Sequence, residues 1–280
     1  MSYQEPLSQH AIAISISESP DMAVLGLGKE HLDDAMTEVA RHLLAMGARL
    51  LYGGDLRKDG FSNLLFELVS RHRRDADLGD ERVGVSNYLA WPVHVGLPID
   101  ALQELTDALK GTAELVCLAA DGAAMTPLER AALASRPAVA AEWADGLTAM
   151  RMTMSASSNA RIVLGGRTEN YKGRMPGVAE EALIALESHQ PLYLLGGFGG
   201  CARDVAADLG LIGAQSGQVQ AWAGREKFSA FRVHDLRNGL TEEESRALAT
   251  TAHIDQAVAL ILRGLLRQRD AEGMGNGSGP

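Results

Sequence analysis

The sequence has few aromatic residues and no excess of basic charge. Aromatic side chains make up 5% of the 280 residues, which argues against a stacking surface for single-stranded nucleic acid. The balance of 26 basic and 36 acidic residues gives a net charge of −10, so nucleic acid is not the expected partner. The one basic run, 71–74, is followed at once by acidic residues, and we interpret it as the solvated end of a helix.

Signals for a membrane, a secretory route or a metal are also missing. No stretch of 18 apolar residues exists, and Met1–His10 lacks the basic-then-apolar layout of a secretion signal. The two cysteines, Cys117 and Cys201, lie far apart, and no histidine–cysteine cluster has metal-ligand spacing. We therefore expect a soluble, cytoplasmic protein with no membrane partner, no metal and no cofactor.

Hydrophobic residues, at 46%, suffice for a sizeable core, and they form strand-like runs that alternate with helical stretches. This alternation predicts an α/β fold, a doubly wound parallel sheet with helices on both faces. The predicted strands cover residues 11–17, 48–52, 82–88, 114–119, 160–164 and 191–195. We expect a single domain over 1–270, with its core at about 11–210, a helical C-terminal extension at about 241–269 and a disordered tail at 271–280. The apolar side of the last helix either caps the sheet, which we prefer, or joins two copies of the chain.

Glycine groups follow the second, fifth and sixth predicted strands. Because right-handed crossovers bring the carboxyl ends of all strands to one edge, these loops should meet there. Glycine lets the backbone approach a ligand closely, and free amides at the next helix favour a phosphate, although a tight turn alone also requires glycine. The residues predicted to bind ligand at this edge are Ser17, Gly53, Gly54, Asp55, Gly165, Gly166, Gly197, Phe198 and Gly199. No P-loop and no GxGxxG after the first strand occur, so nucleotide triphosphate hydrolysis and nicotinamide redox chemistry are not expected.

Basic residues cluster in the segment after the fifth strand. Arg167, Lys172 and Arg174 either bind a phosphate or are simply solvated, and arginine suits a phosphate best. Arg151, on the preceding helix, either packs its stem at the surface or points into the ligand cleft. Cys201 begins a helix, where a thiol pKa tends to fall, but we prefer a packing role for it.

Acidic residues begin the next helix, which Pro176 and Gly177 open. Glu180 and Glu181 lie in its first turn, where the helix dipole helps to hold them ionised. They either cap the helix or face a sugar hydroxyl or a water.

Together these features resemble the SLOG superfamily, over most of residues 11–210. That group joins the Lonely Guy phosphoribohydrolases to nucleotide-sensing domains of melastatin-type channels and of bacterial Thoeris antiviral systems. Gly53 and Gly54 match the glycines after the second strand of the Lonely Guy enzymes, and Asp55 replaces the third. Arg151 falls at the place of their helical arginine, and Glu181 matches their catalytic glutamate.

The segment between these matches departs from the Lonely Guy pattern. Gly165 and Gly166 stand for the first glycines, Gly177 stands for a later one, and Val178 replaces a threonine. The insertion between them holds the basic residues named above. The Gly-Arg-x-Pro-Gly-x-x-Glu-Glu pattern that ends at Glu181 and the Gly-Gly-Phe-Gly-Gly run at 196–200 look more like SLOG branches linked to bacterial nucleotide-signalling conflict systems.

The resemblance implies a Rossmann-like fold that binds an ADP-ribose-like or related nucleotide as a sensor, with a possible separate effector protein. The alternative is an N-glycosidic hydrolase acting on a nucleoside monophosphate or an NAD-like substrate. In that case Glu181 would stabilise an oxocarbenium-like centre or activate water, and Arg151 would hold the phosphate or assist the leaving base. Relatives often form dimers, so we also expect a homo-oligomer.

Overall fold

The computed structural model describes residues 5–54, 56–57, 60–75, 83–213 and 221–276, with the backbone alone for 72–75 and 272–276. Within these residues six strands form: β1 Ala11–Ser17, β2 Arg49–Gly53, β3 Val85–Leu89, β4 Ala113–Cys117, β5 Ala160–Gly165 and β6 Leu192–Leu195. The helices are α1 Lys29–Ala45, α2 Phe61–Asp75, α3 Trp91–His94, α4 Ile99–Ala108, α5 Pro127–Ala131, α6 Ala140–Ala156, α7 Gly177–Glu187, α8 Gly200–Asp208, α9 Glu242–Thr250 and α10 Ile254–Asn276. Short 3₁₀ turns cover Met22–Leu25, Gly196–Phe198, Arg225–Ala230 and Val233–Leu236.

The strands make one sheet in the order β4-β3-β2-β1-β5-β6, and every described pair is parallel. The chain winds outward from β1 to β4 and then returns to the other side of β1 with β5. The strand order therefore reverses between β1 and β5, and the crevice at their carboxyl ends is where such sheets bind ligands. The predicted Rossmann-like α/β fold is confirmed.

The two faces of the sheet carry different helices because successive residues of a strand point to opposite faces. Ile12 and Ile14 of β1 pack in a core cluster with α1, α2 and α10, whereas Ala13 packs with Met150 and Met154 of α6. Helices α7 and α8 cover the β5–β6 side of that second face, around Val163. The second face is the one that carries α6 and α7, the helices predicted to bear the charged residues of the site.

The C-terminal helix packs its apolar side into the main core, where Val258, Ile261 and Leu265 are buried with residues of α1. This is the capping role that we preferred from the sequence. Helix α10 also continues to Asn276, well into the segment predicted to be a disordered tail, and residues 277–280 lie outside the described chain. Among the described residues, no helix combines the length and the apolar character that a membrane span requires.

Candidate functional site

The strand-order reversal brings the ends of β1 and β5 together at two left-handed glycines. Ser17 lies opposite Gly165 in the sheet register, and Gly165 and Gly166 have φ values of +64° and +107°. A methyl group at Gly165 would lie 2.3 Å from the Ser17 carbonyl oxygen, so this turn needs glycine. The Gly166 N–H donates to that carbonyl at 2.7 Å, and the Arg167 N–H donates to Ser17 Oγ at 3.2 Å. Ser17 thus holds the first residues of the loop that leads to α7.

Arg151 of α6 lies beneath this loop and is 7% exposed. Its Nη1 forms an ion pair with Glu180, whose other oxygen accepts from Thr148 Oγ1 at 2.5 Å. A methyl group at Gly177 would lie 2.7 Å from Arg151 Nη2, so the start of α7 passes directly over the guanidinium group. The sequence offered a surface position or one facing a ligand cleft for Arg151; the structure shows the side chain buried and paired with Glu180, and its role toward a ligand stays a prediction.

A second buried arginine, Arg161 of β5, completes the cluster, and the sequence analysis missed it. Its side chain is fully buried, and Nη1 donates to Ser15 Oγ at 2.8 Å. The same Nη1 lies 3.7 Å from Glu181 Oε1, and Arg151 Nε lies 4.0 Å from that oxygen. Burial lowers the pKa of Arg161, and the charge of Glu181 opposes that shift. An arginine inside an otherwise apolar strand, Ala160–Gly165, was the signal that would have found it.

The buried cluster balances two guanidinium groups against two carboxylates. We call Arg151, Arg161, Glu180 and Glu181 the buried quartet; none is more than 7% exposed. Within the described part of the chain, Nε of Arg151 and both Nε and Nη2 of Arg161 lack a hydrogen-bond acceptor. Buried N–H donors are normally paired, so the quartet retains capacity for an added acceptor such as a water or an anionic oxygen.

The basic insertion lies above the quartet and is largely exposed. Lys172 Nζ sits 3.7 Å from the centre of the Trp143 ring, and Arg174 pairs with Asp145 at 2.5 Å. The Arg167 side chain is exposed and has no charged partner among the described residues. Of the three, Arg167 is therefore the most available to a ligand.

A comparison with protein-family models matches residues 6–246 to the family described as SLOG cluster2. The chain belongs to this family. It is accordingly a nucleotide-related Rossmann-like domain, and α10 lies beyond the matched residues. A search of curated proteins finds no match.

The glycines after β2 in this SLOG domain pack closely against neighbouring side chains. A methyl group at Gly53 would lie 2.7 Å from Met154 Sδ, and one at Gly54 would lie 2.6 Å from Ser62 Oγ. Ser62 in turn donates to the fully buried Asn87 at 2.8 Å. Asp55, predicted to bind ligand beside these glycines, lies outside the described residues.

The third glycine loop of the SLOG domain, after β6, is filled by the protein itself. A methyl group at Gly197 would lie 2.1 Å from the Thr251 carbonyl oxygen, and Phe198 is 1% exposed. Beyond Gly199, the Gly200 N–H donates to Asp21 Oδ1 at 2.9 Å, so a carboxylate of the chain occupies the start of α8. The structure therefore does not join Gly197, Phe198 and Gly199 to the quartet, and their glycines have a packing explanation.

Cys201 is part of the same packing. Burial raises the pKa of its thiol to about 12, so the expected fall at a helix N-terminus does not occur. Its sulfur would lie 2.3 Å from a methyl group at Gly166, which confirms the packing role. Among the described residues, no group of three or more metal-ligating side chains is found.

Proposed function

We propose that this SLOG domain binds a nucleotide-derived small molecule of the ADP-ribose type at the carboxyl ends of β1 and β5, and acts as a sensor for it. The observation that carries the proposal is the coincidence of the strand-order reversal with the Gly165–Gly166 turn, whose loop reaches the guanidinium group of Arg151 at Gly177. Parallel sheets bind ligands at this crevice, and helix N-termini such as that of α7 favour phosphate. Membership of the SLOG cluster2 family supports a nucleotide as the ligand class.

The charges of the quartet suggest how a phosphate would be received. Arg151 is already paired with Glu180, so an incoming phosphate meets a balanced site rather than a free cation. Arg167 is exposed at the loop and supplies the positive charge that such a ligand needs first. A bidentate contact from arginine would then add both affinity and orientation.

Isothermal titration calorimetry with ADP-ribose, its cyclic isomers, AMP and NAD tests the proposal. We expect submillimolar binding of at least one ligand, weakened at least tenfold by Arg167→Ala because a charged hydrogen bond contributes about 1.5–3 kcal/mol. Glu180→Gln should tighten binding, since it removes the carboxylate that competes for Arg151. Arg71→Ala, an exposed arginine on α2, is the matched control and should bind as the parent does. No binding of any of these ligands at millimolar concentration contradicts the proposal.

The second candidate is N-glycosidic hydrolysis. It is favoured by one contact: Glu181 Oε1 lies 4.0 Å from Arg151 Nε, which places the two residues assigned to catalysis by resemblance side by side. Glu181 would stabilise the sugar cation or activate water, and Arg151 would hold the phosphate. Chromatography of a nucleotide panel after incubation decides between the two candidates: a sensor returns its ligand intact, whereas a hydrolase releases free base. Release that persists unchanged in Glu181→Gln would exclude the role given to Glu181.

A further inference from the structure

A cavity lies at the end of the sheet opposite to the candidate nucleotide site. It measures about 510 Å³, and its lining includes Leu209, Arg232, His234, Arg237, Glu242 and Arg246. Asn238, also in the lining, donates from Nδ2 to the carbonyl oxygen of Leu192, the first residue of β6, at 3.1 Å. The cavity therefore opens where the strands begin, and the candidate nucleotide site lies where they end.

The lining of this cavity is basic although the chain is acidic. Three arginines face one glutamate there, in a protein of net charge −10. The side chain of Arg246 already has partners: Nη2 donates to Glu242 at 2.7 Å, and Nη1 donates to the Gly210 carbonyl oxygen at 2.8 Å. The guanidinium group of Arg232 donates to the carbonyl oxygens of Ser229 and Phe231 at 2.8 and 2.7 Å, and its backbone N–H donates to Asp235 Oδ2 at 2.8 Å. Asp235 therefore lies close to Arg232, but among the described residues no ion pair joins a carboxylate to the guanidinium group of Arg232 or of Arg237, and both groups remain open to an anion.

The backbone that carries Arg237 is held in place. Arg237 has a φ of +46°, a conformation that costs energy for any residue other than glycine and is commonest for asparagine, aspartate and histidine. Gln268 of α10 donates to its carbonyl oxygen, and the next residue, Asn238, is buried and bonded to β6. The strained position is thus fixed from both sides, and it keeps a charged side chain in the lining of the cavity.

We propose that this cavity is a binding site for a small phosphate-bearing anion, held by Arg232 and Arg237 with Arg246 behind them. Its volume lies in the range of small-molecule sites, about 300–1,000 Å³, and Leu209, Val233 and Leu240 give it apolar walls. The guanidinium fork matches the geometry of phosphate oxygens, and the concave shape suits a small ligand better than an extended acidic peptide. The site does not depend on the proposed nucleotide function.

The test uses the full chain and pyrophosphate, followed by amide chemical shifts in two-dimensional NMR. We expect saturable shifts at Gly210 and Gly239, which line the cavity, with a millimolar or tighter dissociation constant. Arg237→Asn should weaken binding at this site at least tenfold, because asparagine tolerates the left-handed backbone and removes the charge. Arg71→Asn, on α2, makes the same charge change elsewhere and should leave the affinity unaltered.

Several outcomes would overturn the proposal. Shifts confined to Gly165 and Gly166 would assign all phosphate binding to the nucleotide site, and no shifts at millimolar pyrophosphate would leave the cavity without this ligand. If Arg237→Asn and Arg71→Asn weakened pyrophosphate binding equally, the loss of affinity would come from the change in net charge and not from a contact in the cavity. Binding of an acidic peptide but not of pyrophosphate would make the cavity a docking surface for protein. By contrast, failure of the nucleotide titrations with shifts retained at Gly210 and Gly239 would refute the nucleotide proposal and support the cavity proposal.

Discussion

Replacing Arg161 by methionine tests whether the buried quartet works as one electrostatic unit. Methionine replaces the apolar stem of arginine but has no guanidinium group, so the variant removes the hydrogen bond to Ser15 and the nearest cation to Glu181, at 3.7 Å. Arg161 is fully buried and Glu181 is 7% exposed, so water cannot replace the lost partner. Removal of one partner of a buried ion pair costs about 3–5 kcal/mol, largely because the other charge is left uncompensated.

The Arg161→Met variant should therefore unfold in less urea and melt on the order of 10 °C lower than the parent. In Arg161→Met/Glu181→Gln the uncompensated carboxylate is gone, so we expect that double variant to recover about 1 kcal/mol or more relative to the single one. Arg41→Met, an exposed helical arginine, controls for loss of any positive charge and should not change the midpoint. An Arg161→Met protein as stable as the parent, or a double variant no more stable than the single one, would refute the reasoning.

Other predictions concern the pH dependence, the packing glycines and the thiols. Burial lowers the pKa of His94, whose Nδ1 accepts a hydrogen bond from Arg130 Nε at 3.0 Å. As the pH drops below about 6.5, His94 is therefore protonated in the unfolded chain before it is protonated in the folded one, and the urea midpoint should fall. His94→Gln should make the urea midpoint less dependent on pH, and an unchanged dependence would show that His94 is not the group responsible. Gly197→Ala should destabilise the fold by about 1–3 kcal/mol in urea, whereas Gly213→Ala, with nothing within 4 Å, should be neutral; equal effects would exclude the packing explanation. Burial also raises the pKa of Cys201 to about 12, so Ellman's reagent should modify it only after unfolding, and rapid labelling of the native protein would contradict its burial.

The sequence was sufficient for the fold class because strand and helix periods alternate without interruption. It also located the start of α7 at Gly177, directly after Pro176. This feature depends on residues within one turn of each other. The order of the strands is a property of tertiary packing, and it emerged only with the structure.

Glycine could not be interpreted from its position alone. From the sequence, the loops after β5 and β6 were equally good candidates for ligand binding, because each has glycines between a strand and a helix. In the structure, Gly197 is pressed against Thr251, some fifty residues later, and Asp21, far earlier in the chain, accepts from the amide at the start of α8. Gly166 after β5 likewise lies against Cys201 of α8, so residues distant in the chain decide what the missing side chain of each glycine makes room for.

The ion pairs within the buried quartet determine how readily Arg151 could bind a phosphate, and therefore how a sensor would respond. Arg151 cannot accept a phosphate at full strength while Glu180 holds it, and Gly177 packs on the guanidinium group from above. A phosphate that takes Arg151 must therefore displace the Glu180 carboxylate, which lies in the first turns of α7 and is itself bonded to Thr148 of α6. Because both helices cover the same face of the sheet, exchange of that carboxylate for a ligand would couple occupancy to the fit of α7 against α6. Such a balanced buried site would bind an anion less tightly than a free arginine would, but its occupancy would be linked to a rearrangement of the two helices.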